Sequence, residues 1–309
     1  MALPSRLTVG TMNFGRRTPA AEAQRIVDRA IERGATFFDT ANVYGDGESE
    51  SVLGAALGRR HGQVGIATKV GLLRRGGKVE GLSFSRVTES LAESLKRLRC
   101  DRVDVYYLHA PDPLTPFAET LDALQGLLEQ GRIGAWGVSN FAAWQILELQ
   151  RLCDTRVMAR PAVSQVLYNL LVRQLDVEYF AFAVRHPIHT TVYNPLAGGL
   201  LALEGHAALP SSRLETNPLY RRRYGSEAFA ELARRFFALA GDYGLSSTTL
   251  AYAFCAGTSG VDSTLAGPGE LAHLDAALDG VATTLSAECR AAIDHLHRSA
   301  LGTDACYAR

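Results

Sequence analysis

Lysine is scarce in this chain: of 32 basic residues only Lys69, Lys78 and Lys96 are lysine, so each one invites a question about its purpose. The arginine bias is consistent with a GC-rich coding sequence. It does not mark a polyanion-binding surface, because 32 acidic residues bring the formal charge to zero. The charge therefore gives no case for nucleic acid or for an anionic membrane as partner. No apolar run approaches the roughly 20 residues of a membrane helix. The five cysteines are odd in number and lack CxxC spacing, which argues against a disulfide framework or a zinc site and fits a reducing cytoplasm. The opening MALPSRLTVG has no charged region followed by an apolar one, so no signal peptide is read. There is no internal repeat, no low-complexity tract and no Pro- or Gly-rich linker.

What the chain has is alternation. Strand-like segments are RLTVGTMNF, ATFFDT, QVGIATKVG, RVDVYYLHAP, RIGAWGVSN, PAVSQVLYN, the start of HTTVYNPLAGG, and VDSTLAG. Helical segments separate them. In PAAEAQRIVDRAIERG, Ala23, Ile26, Val27, Ala30 and Ile31 share one face, with Gly34 at the C-terminal end. SFSRVTESLAESLKRLRC opens on serine caps, PFAETLDALQGLLEQG closes at Gly131, and QLDVEYFAFAVRH reads as one helix. Residues 206 to 225 read as an irregular, arginine-bearing stretch, and a terminal helix over about 286 to 298 precedes a short tail. About eight strand–helix units imply parallel strands with right-handed crossovers. In 309 residues they predict a closed (β/α)8 barrel of one domain, residues 1–309, with long loops on its C-terminal face. The runner-up, an open doubly wound sheet, wants a GxGxxG turn after a strand, and none stands in that setting.

The C-terminal ends of barrel strands are where such folds build sites. Here those ends carry Asp39 and Tyr44, then Lys69, His109, Ser139 with Asn140, Gln165, and Tyr193. Each has a plain structural explanation by itself: Asp39 a turn cap, Tyr44 a loop packer, Gln165 a backbone partner, His109 a bond to the APDP turn. Lys69 resists that treatment, since a lysine at a barrel mouth is rarely buried unless paired, and Asp39 on the next strand is the available pair. Together the groups suggest a proton donor for a carbonyl that gains negative charge. A nearby ammonium favours phenolate, a carboxylate holds the ammonium, and a neutral histidine orients the oxygen. No side chain here gives hydride, so a bound nicotinamide is implied. No His/Cys/Asp cluster has metal spacing.

These stretches resemble the aldo-keto reductases over essentially the whole chain: FFDTANVYGDGESE, IATKVG, VDVYYLHAPDP, GVSNF and YNPLAGGLL match that family's signatures in order and spacing. MNFGRR, SLKRLRCDRVDVYYLHAPD, SNFAAWQILELQRLC, YRRRY and the ending ACYAR are similar to the aflatoxin-aldehyde and succinic-semialdehyde reductase branch. The resemblance implies reduction of a small aldehyde or ketone by NADPH through Asp39, Tyr44, Lys69 and His109. Tyr44 would be the acid and His109 would orient substrate. It implies that Ser139, Asn140 and Gln165 hold the nicotinamide carboxamide and that Tyr193 stacks on the ring. The backbone of Leu196 to Leu201, with Asn194, Leu196, Gly198 and Leu200, would follow the pyrophosphate, and Thr11, Met12, Asp39 and Gly267 would complete the cofactor site. Independently of the resemblance, the adjacent Gly198 and Gly199 permit close backbone approach. The resemblance also implies that Arg309 and an arginine of YRRRY, Arg223 with Arg221 as the alternative, hold an anionic substrate.

One departure concerns the segment after the eighth strand, AGPGELAHLDAAL. Glu270 stands where the family places a hydroxyl or a cation for the adenosine 2′-phosphate, while His273 follows one turn on. A carboxylate repels phosphate and accepts a ribose hydroxyl. NADP(H) is favoured, with NAD(H) left open by Glu270. Two rivals are a cofactor-binding regulatory barrel, like the ion-channel β-subunits of the same superfamily, and a ketosugar reductase. A homodimer is compatible with the sequence.

Overall fold

The computed structural model describes residues 2–202 and 217–301. In chain order the strands are β1 (Leu7–Gly10), β2 (Phe37–Asp39), β3 (Gly65–Val70), β4 (Arg74–Arg75), β5 (Lys78–Val79), β6 (Val103–Leu108), β7 (Ile133–Ser139), β8 (Val163–Leu167), β9 (His189–Tyr193) and β10 (Ser263–Ala266). All but β4 and β5 are parallel and close into a barrel in the order β1-β10-β9-β8-β7-β6-β3-β2, the arrangement that the strand–helix alternation predicts. Around it lie α1 (Ala20–Glu32), α2 (Glu48–Leu57), α3 (Phe84–Leu98), α4 (Phe117–Glu129), α5 (Ala143–Thr155) and α6 (Tyr179–Arg185). They are followed by α7 (Pro218–Tyr224), α8 (Glu227–Asp242), α9 (Ser247–Gly257), α10 (Leu271–Ala282) and α11 (Ala287–Leu301).

Strand residues alternate between two cores. Phe38, Ile66, Val70, Tyr106, Leu108, Val138, Val166 and Val192 belong to the large apolar layer shared with the helices. Phe37, Ala67, Val105, Tyr107 and Val163 form a separate cluster that fills the barrel. Gly137 makes room there: a Cβ would fall 2.6 Å from the Val163 carbonyl oxygen and 2.9 Å from the Tyr107 ring. The interior set is odd-numbered, so two residues further on the same parity puts Asp39, Lys69, His109, Ser139, Gln165 and Tyr193 at the top of the barrel. Pleat geometry, more than any local motif, gathers those side chains.

The helices follow from their patterning. In α1, Ala23, Ile26, Val27 and Ala30 are buried, and Gly34 takes the left-handed conformation just past the end. Each large apolar side chain buried this way contributes about 1.5–3 kcal/mol.

Several sequence expectations need correction. β1 stops at Gly10 rather than running to Phe14, because the chain turns: the Asn13 carbonyl accepts from Arg16, Arg17 and Thr18 amides. Ser83 sits at the N-terminal cap of α3 without a capping side-chain bond; the Glu119 carboxylate of α4 accepts the Phe84 amide instead. QLDVEYFAFAVRH is a single 3₁₀ turn, Gln174–Asp176, followed by the short α6. Asp176 is drawn out of helical use, accepting from Tyr168 and Arg173. Part of the supposedly irregular stretch is α7, started by Asn217, whose side chain accepts the Leu219 amide, with Pro218 in the first turn. The β4–β5 hairpin, turned at Gly76 and Gly77, was not expected, although two adjacent glycines between RR and KV are a hairpin signal.

Candidate active site

Lys69 is fully buried, and its ammonium is held at the barrel mouth by three groups. Nζ donates to Asp39 Oδ1 and to the Thr40 carbonyl oxygen at 2.8 Å, and it lies 5.1 Å from the centre of the Tyr44 ring. The second Asp39 oxygen accepts from Gln165 Nε2 at 2.9 Å, a bond that crosses the barrel from β8 to β2. Burial pulls the Lys69 pKa below the ordinary lysine value, and the Asp39 and Glu50 carboxylates oppose that shift.

Tyr44 follows β2 by five residues, at the start of a tight turn in which Gly45, Asp46 and Gly47 are all left-handed. Such a run turns the chain sharply into α2 and leaves the Tyr44 ring between two neighbours. One is the Lys69 ammonium. The other is His109, whose ring centre is 5.9 Å away at an interplanar angle of 82°. His109 is buried at the end of β6, and burial, reinforced by the Lys69 charge, holds its pKa well below the ordinary histidine range. Its imidazole is therefore neutral at pH 7, with one donor and one acceptor nitrogen. Among the described residues no partner meets its Nδ1.

Next to His109 along the rim, Asn140 adopts a left-handed conformation directly after β7, as Asn194 does after β9. Asparagine tolerates that geometry, which gives both residues a structural reason to be present. Asn140 Nδ2 donates to the His109 carbonyl oxygen at 2.9 Å and to Ser139 Oγ at 3.1 Å, while its Oδ1 accepts the Tyr193 hydroxyl at 2.6 Å. Burial raises the Tyr193 phenol above its ordinary pKa, and the charge and hydrogen bond of Arg223 act against that shift. Arg223 of α7 is thus brought to the mouth from 30 residues beyond Tyr193.

Other expected site residues lie further out. The Thr11 hydroxyl is fully buried, bonded to the Asp39 carbonyl oxygen at 3.3 Å and to Ser49, so it supports the site from beneath. Met12 packs half-buried against the main core. Gly267 receives Asn13 Nδ2 on its carbonyl at 3.0 Å. Glu270 pairs with His273 at 3.2 Å, both well exposed, and a second carboxylate, Glu22, accepts the Leu271 amide at the start of α10. Arg309 lies outside the described residues.

Gly198 and Gly199 have different reasons. A Cβ on Gly198 would fall 2.4 Å from the Tyr220 ring, so the close approach there is to the chain itself. Gly199, at φ 105°, has nothing within 4 Å of a Cβ position, and nearby a buried Asn194 Nδ2 meets no partner among the described residues. An open left-handed turn and an unused amide donor fit the diphosphate of a dinucleotide.

Sequence reading passed over Glu50. It is fully buried on α2, accepts from Thr68 Oγ1 and pairs with Arg97 Nε at 2.6 Å. Gly47 explains the approach, since a Cβ there would lie 2.6 Å from the Arg97 side chain. The signal was available in GESESVLG: an acid on the face shared with Leu53 and Leu57 is bound for the interior and must find a cation.

Residues 6–298 match the model of the Aldo/keto reductase family. Aflatoxin B1 aldehyde reductase member 2 of Rattus norvegicus is 37% identical over 251 residues, which are 78% of this chain and 68% of that protein. Aldo-keto reductase family 7 member A3 of Homo sapiens is 38% identical over 256 residues, 78% of this chain and 76% of that one. A probable voltage-gated potassium channel subunit beta of Arabidopsis thaliana is 32% identical over 272 residues, 85% and 83% respectively. Among the described residues, no helix is long and apolar enough to cross a membrane, and no group of His, Cys, Asp and Glu could hold a metal ion.

Proposed function

The chain belongs to the aldo/keto reductase family, and from that premise we propose that it reduces an aldehyde to an alcohol with a nicotinamide cofactor, Tyr44 giving the proton. The observation that carries this reading is the Lys69–Asp39 pair, sealed from water beneath the Tyr44 ring with neutral His109 at its edge. A bound nicotinamide would supply the hydride. The residues then have separate tasks. His109 donates a hydrogen bond that orients the carbonyl oxygen. Tyr44 passes its proton to that oxygen, and the Lys69 ammonium stabilises the charge left on the phenol. Asp39 keeps the ammonium in place, and Gln165 keeps Asp39 in place. Ser139, Asn140, Tyr193 and the turn at Leu196 to Leu201 are the proposed cofactor contacts.

The relatives named for aflatoxin B1 aldehyde support an aldehyde substrate, and the potassium channel relative keeps a regulatory barrel in view. Oxidation of NADPH and NADH in the presence of 2-carboxybenzaldehyde, succinic semialdehyde and 4-nitrobenzaldehyde separates the two. Turnover supports the enzyme; cofactor binding with no turnover of any of them favours the regulator.

A carboxylated aldehyde is the proposed preferred substrate because Arg223 stands against Tyr193 at the mouth. A guanidinium grips a carboxylate through paired charge-assisted bonds. Arg223→Ala should therefore raise KM for 2-carboxybenzaldehyde by about tenfold or more, the worth of one bond to a charged group. 4-Nitrobenzaldehyde should change far less. Equal losses on both substrates would reduce Arg223 to a support of α7.

For the cofactor, the resemblance favours NADP(H), whereas Glu270 and Glu22 put two carboxylates at the start of α10. Each works against a 2′-phosphate there. Glu270→Ser should move the affinity ratio towards NADPH by roughly tenfold, from removing a like charge at a few ångströms near the surface. Fluorescence titration with both cofactors measures it, and an unchanged ratio would take Glu270 out of cofactor selection.

A further inference from the structure

We propose that Glu80 is a positioning residue for proton transfer, its buried carboxylate setting the loop that carries Tyr44 and the loop that directly follows Lys69. The inference rests on Tyr44 being the acid. Glu80 follows the β4–β5 hairpin, and its side chain has no exposed surface. Its Oε1 accepts from Asn42 Nδ2 at 2.8 Å, from the Gly71 amide at 2.8 Å and from the Leu73 amide at 3.3 Å. Its Oε2 accepts from Ser90 Oγ at 2.9 Å and faces Arg86 of α3 at 3.6 Å. Asn42 stands two residues before Tyr44, and Gly71 two residues after Lys69. The Asn42 amide also donates to the Lys69 carbonyl oxygen at 3.3 Å, so the two loops lean on each other where Glu80 joins them.

Burying a carboxylate is costly unless its oxygens are well satisfied. A hairpin closure alone needs none of this, since Glu80 already donates its own amide to the Leu73 carbonyl. The informative bond is the one to Asn42. Among the described residues the Asn42 Oδ1 meets no partner, so the side chain is anchored through Glu80. The next two residues reach the third loop. The Leu82 amide donates to Asp112 Oδ2 at 2.8 Å, and Asp112 is three residues beyond His109. At Gly81, φ 69°, a Cβ would lie 2.6 Å from that same oxygen. Residues 80–82 therefore tie together the loops after β2, β3 and β6: the first bears Tyr44, the second follows Lys69 by two residues, and the third begins at His109.

The test uses the full chain with Glu80→Ala, Glu80→Gln, Asn42→Ala and the Glu80→Ala/Asn42→Ala pair. Turnover with 4-nitrobenzaldehyde, cofactor Kd and amide exchange of residues 40–47 are the readouts. Glu80→Ala should lower kcat by about tenfold or more, the scale expected when a reacting group drifts by a fraction of an ångström. Cofactor Kd should stay within about twofold, because none of the side chains and amides that Glu80 contacts is a proposed cofactor contact. Glu80→Gln keeps the Oε1 acceptor and should restore most of kcat. The double variant should be no slower than Glu80→Ala, since both act through one bond. A folded Glu80→Ala protein with parental kcat would overturn the proposal, as would parallel losses of kcat and cofactor affinity. If Glu80→Ala does not fold, Asn42→Ala decides: slower kcat supports the clamp and unchanged kcat ends it. Tyr44→Phe separates the two layers. Retained turnover there would refute the acid, whereas faster exchange at 40–47 in Glu80→Ala reports the clamp without any turnover.

Discussion

Tyr44→Phe is expected to abolish carbonyl reduction while cofactor binding survives. The substitution removes one hydroxyl and keeps the ring, so the contacts with His109 and with the Lys69 ammonium persist. The pocket should therefore hold its shape. What disappears is the one proton that the proposed mechanism delivers to the carbonyl oxygen, worth roughly 10²–10⁴ in rate. Single-turnover kinetics with pre-bound cofactor would read the chemical step directly. Near-parental turnover would show that another group, or water, protonates the product, and would leave the regulatory reading stronger.

Lys69→Met should cost both turnover and stability. Methionine fills most of the lysine stem, so packing loss is small, but Asp39 is left as a buried carboxylate without the ammonium it pairs with, while Gln165 Nε2 still donates to it. Breaking a buried pair from one side typically costs about 3–5 kcal/mol. Asp39→Asn/Lys69→Met should recover much of the lost stability, because both charges are then gone, and should recover none of the activity. Urea unfolding of the single and double variants measures the difference. If Lys69→Met is as stable as the parent, the pair is not the desolvated, mutually dependent unit described, and its place beneath Tyr44 owes nothing to mutual charge.

The barrel was legible because parity and repeat are coarse signals. Eight apolar runs, six of them with polar ends, survive any error of one or two residues at an edge, and Lys69 is conspicuous in a chain with three lysines. Side-chain partnership is a different matter. That Asp39 could meet Lys69 followed from adjacent strands; that Gln165 would reach across to Asp39 depended on which strands oppose one another in a closed barrel. Glu50 and Glu80 were harder still. Both are acids in polar-looking stretches, and only the packed structure shows that each side chain is wholly buried and what it holds. α7 was hidden by its arginines, although Asn217 and Pro218 announce a helix start. Asp176 shows the reverse failure, an apolar periodicity broken by side-chain bonds to the preceding Tyr168 and Arg173.

The bond between Gln165 and Asp39 joins two unequal halves of the ring. Every group proposed for proton delivery comes from residues 39 to 109. Most groups proposed to grip cofactor or substrate come from residues 139 to 273, with Thr11, Met12, Asp39 and His109 the contributions of the first half. Evolution can therefore treat the second half as interchangeable tooling. Its loops can lengthen, change charge or admit a new ligand while the proton-handling half stays untouched, provided that position 165 keeps a donor for Asp39. A chimera that takes its second half from a distant relative should inherit that relative's taste in substrates and keep this chain's chemistry. The seam to match in joining them includes two side-chain amides, Gln165 on Asp39 and Asn140 on the His109 carbonyl.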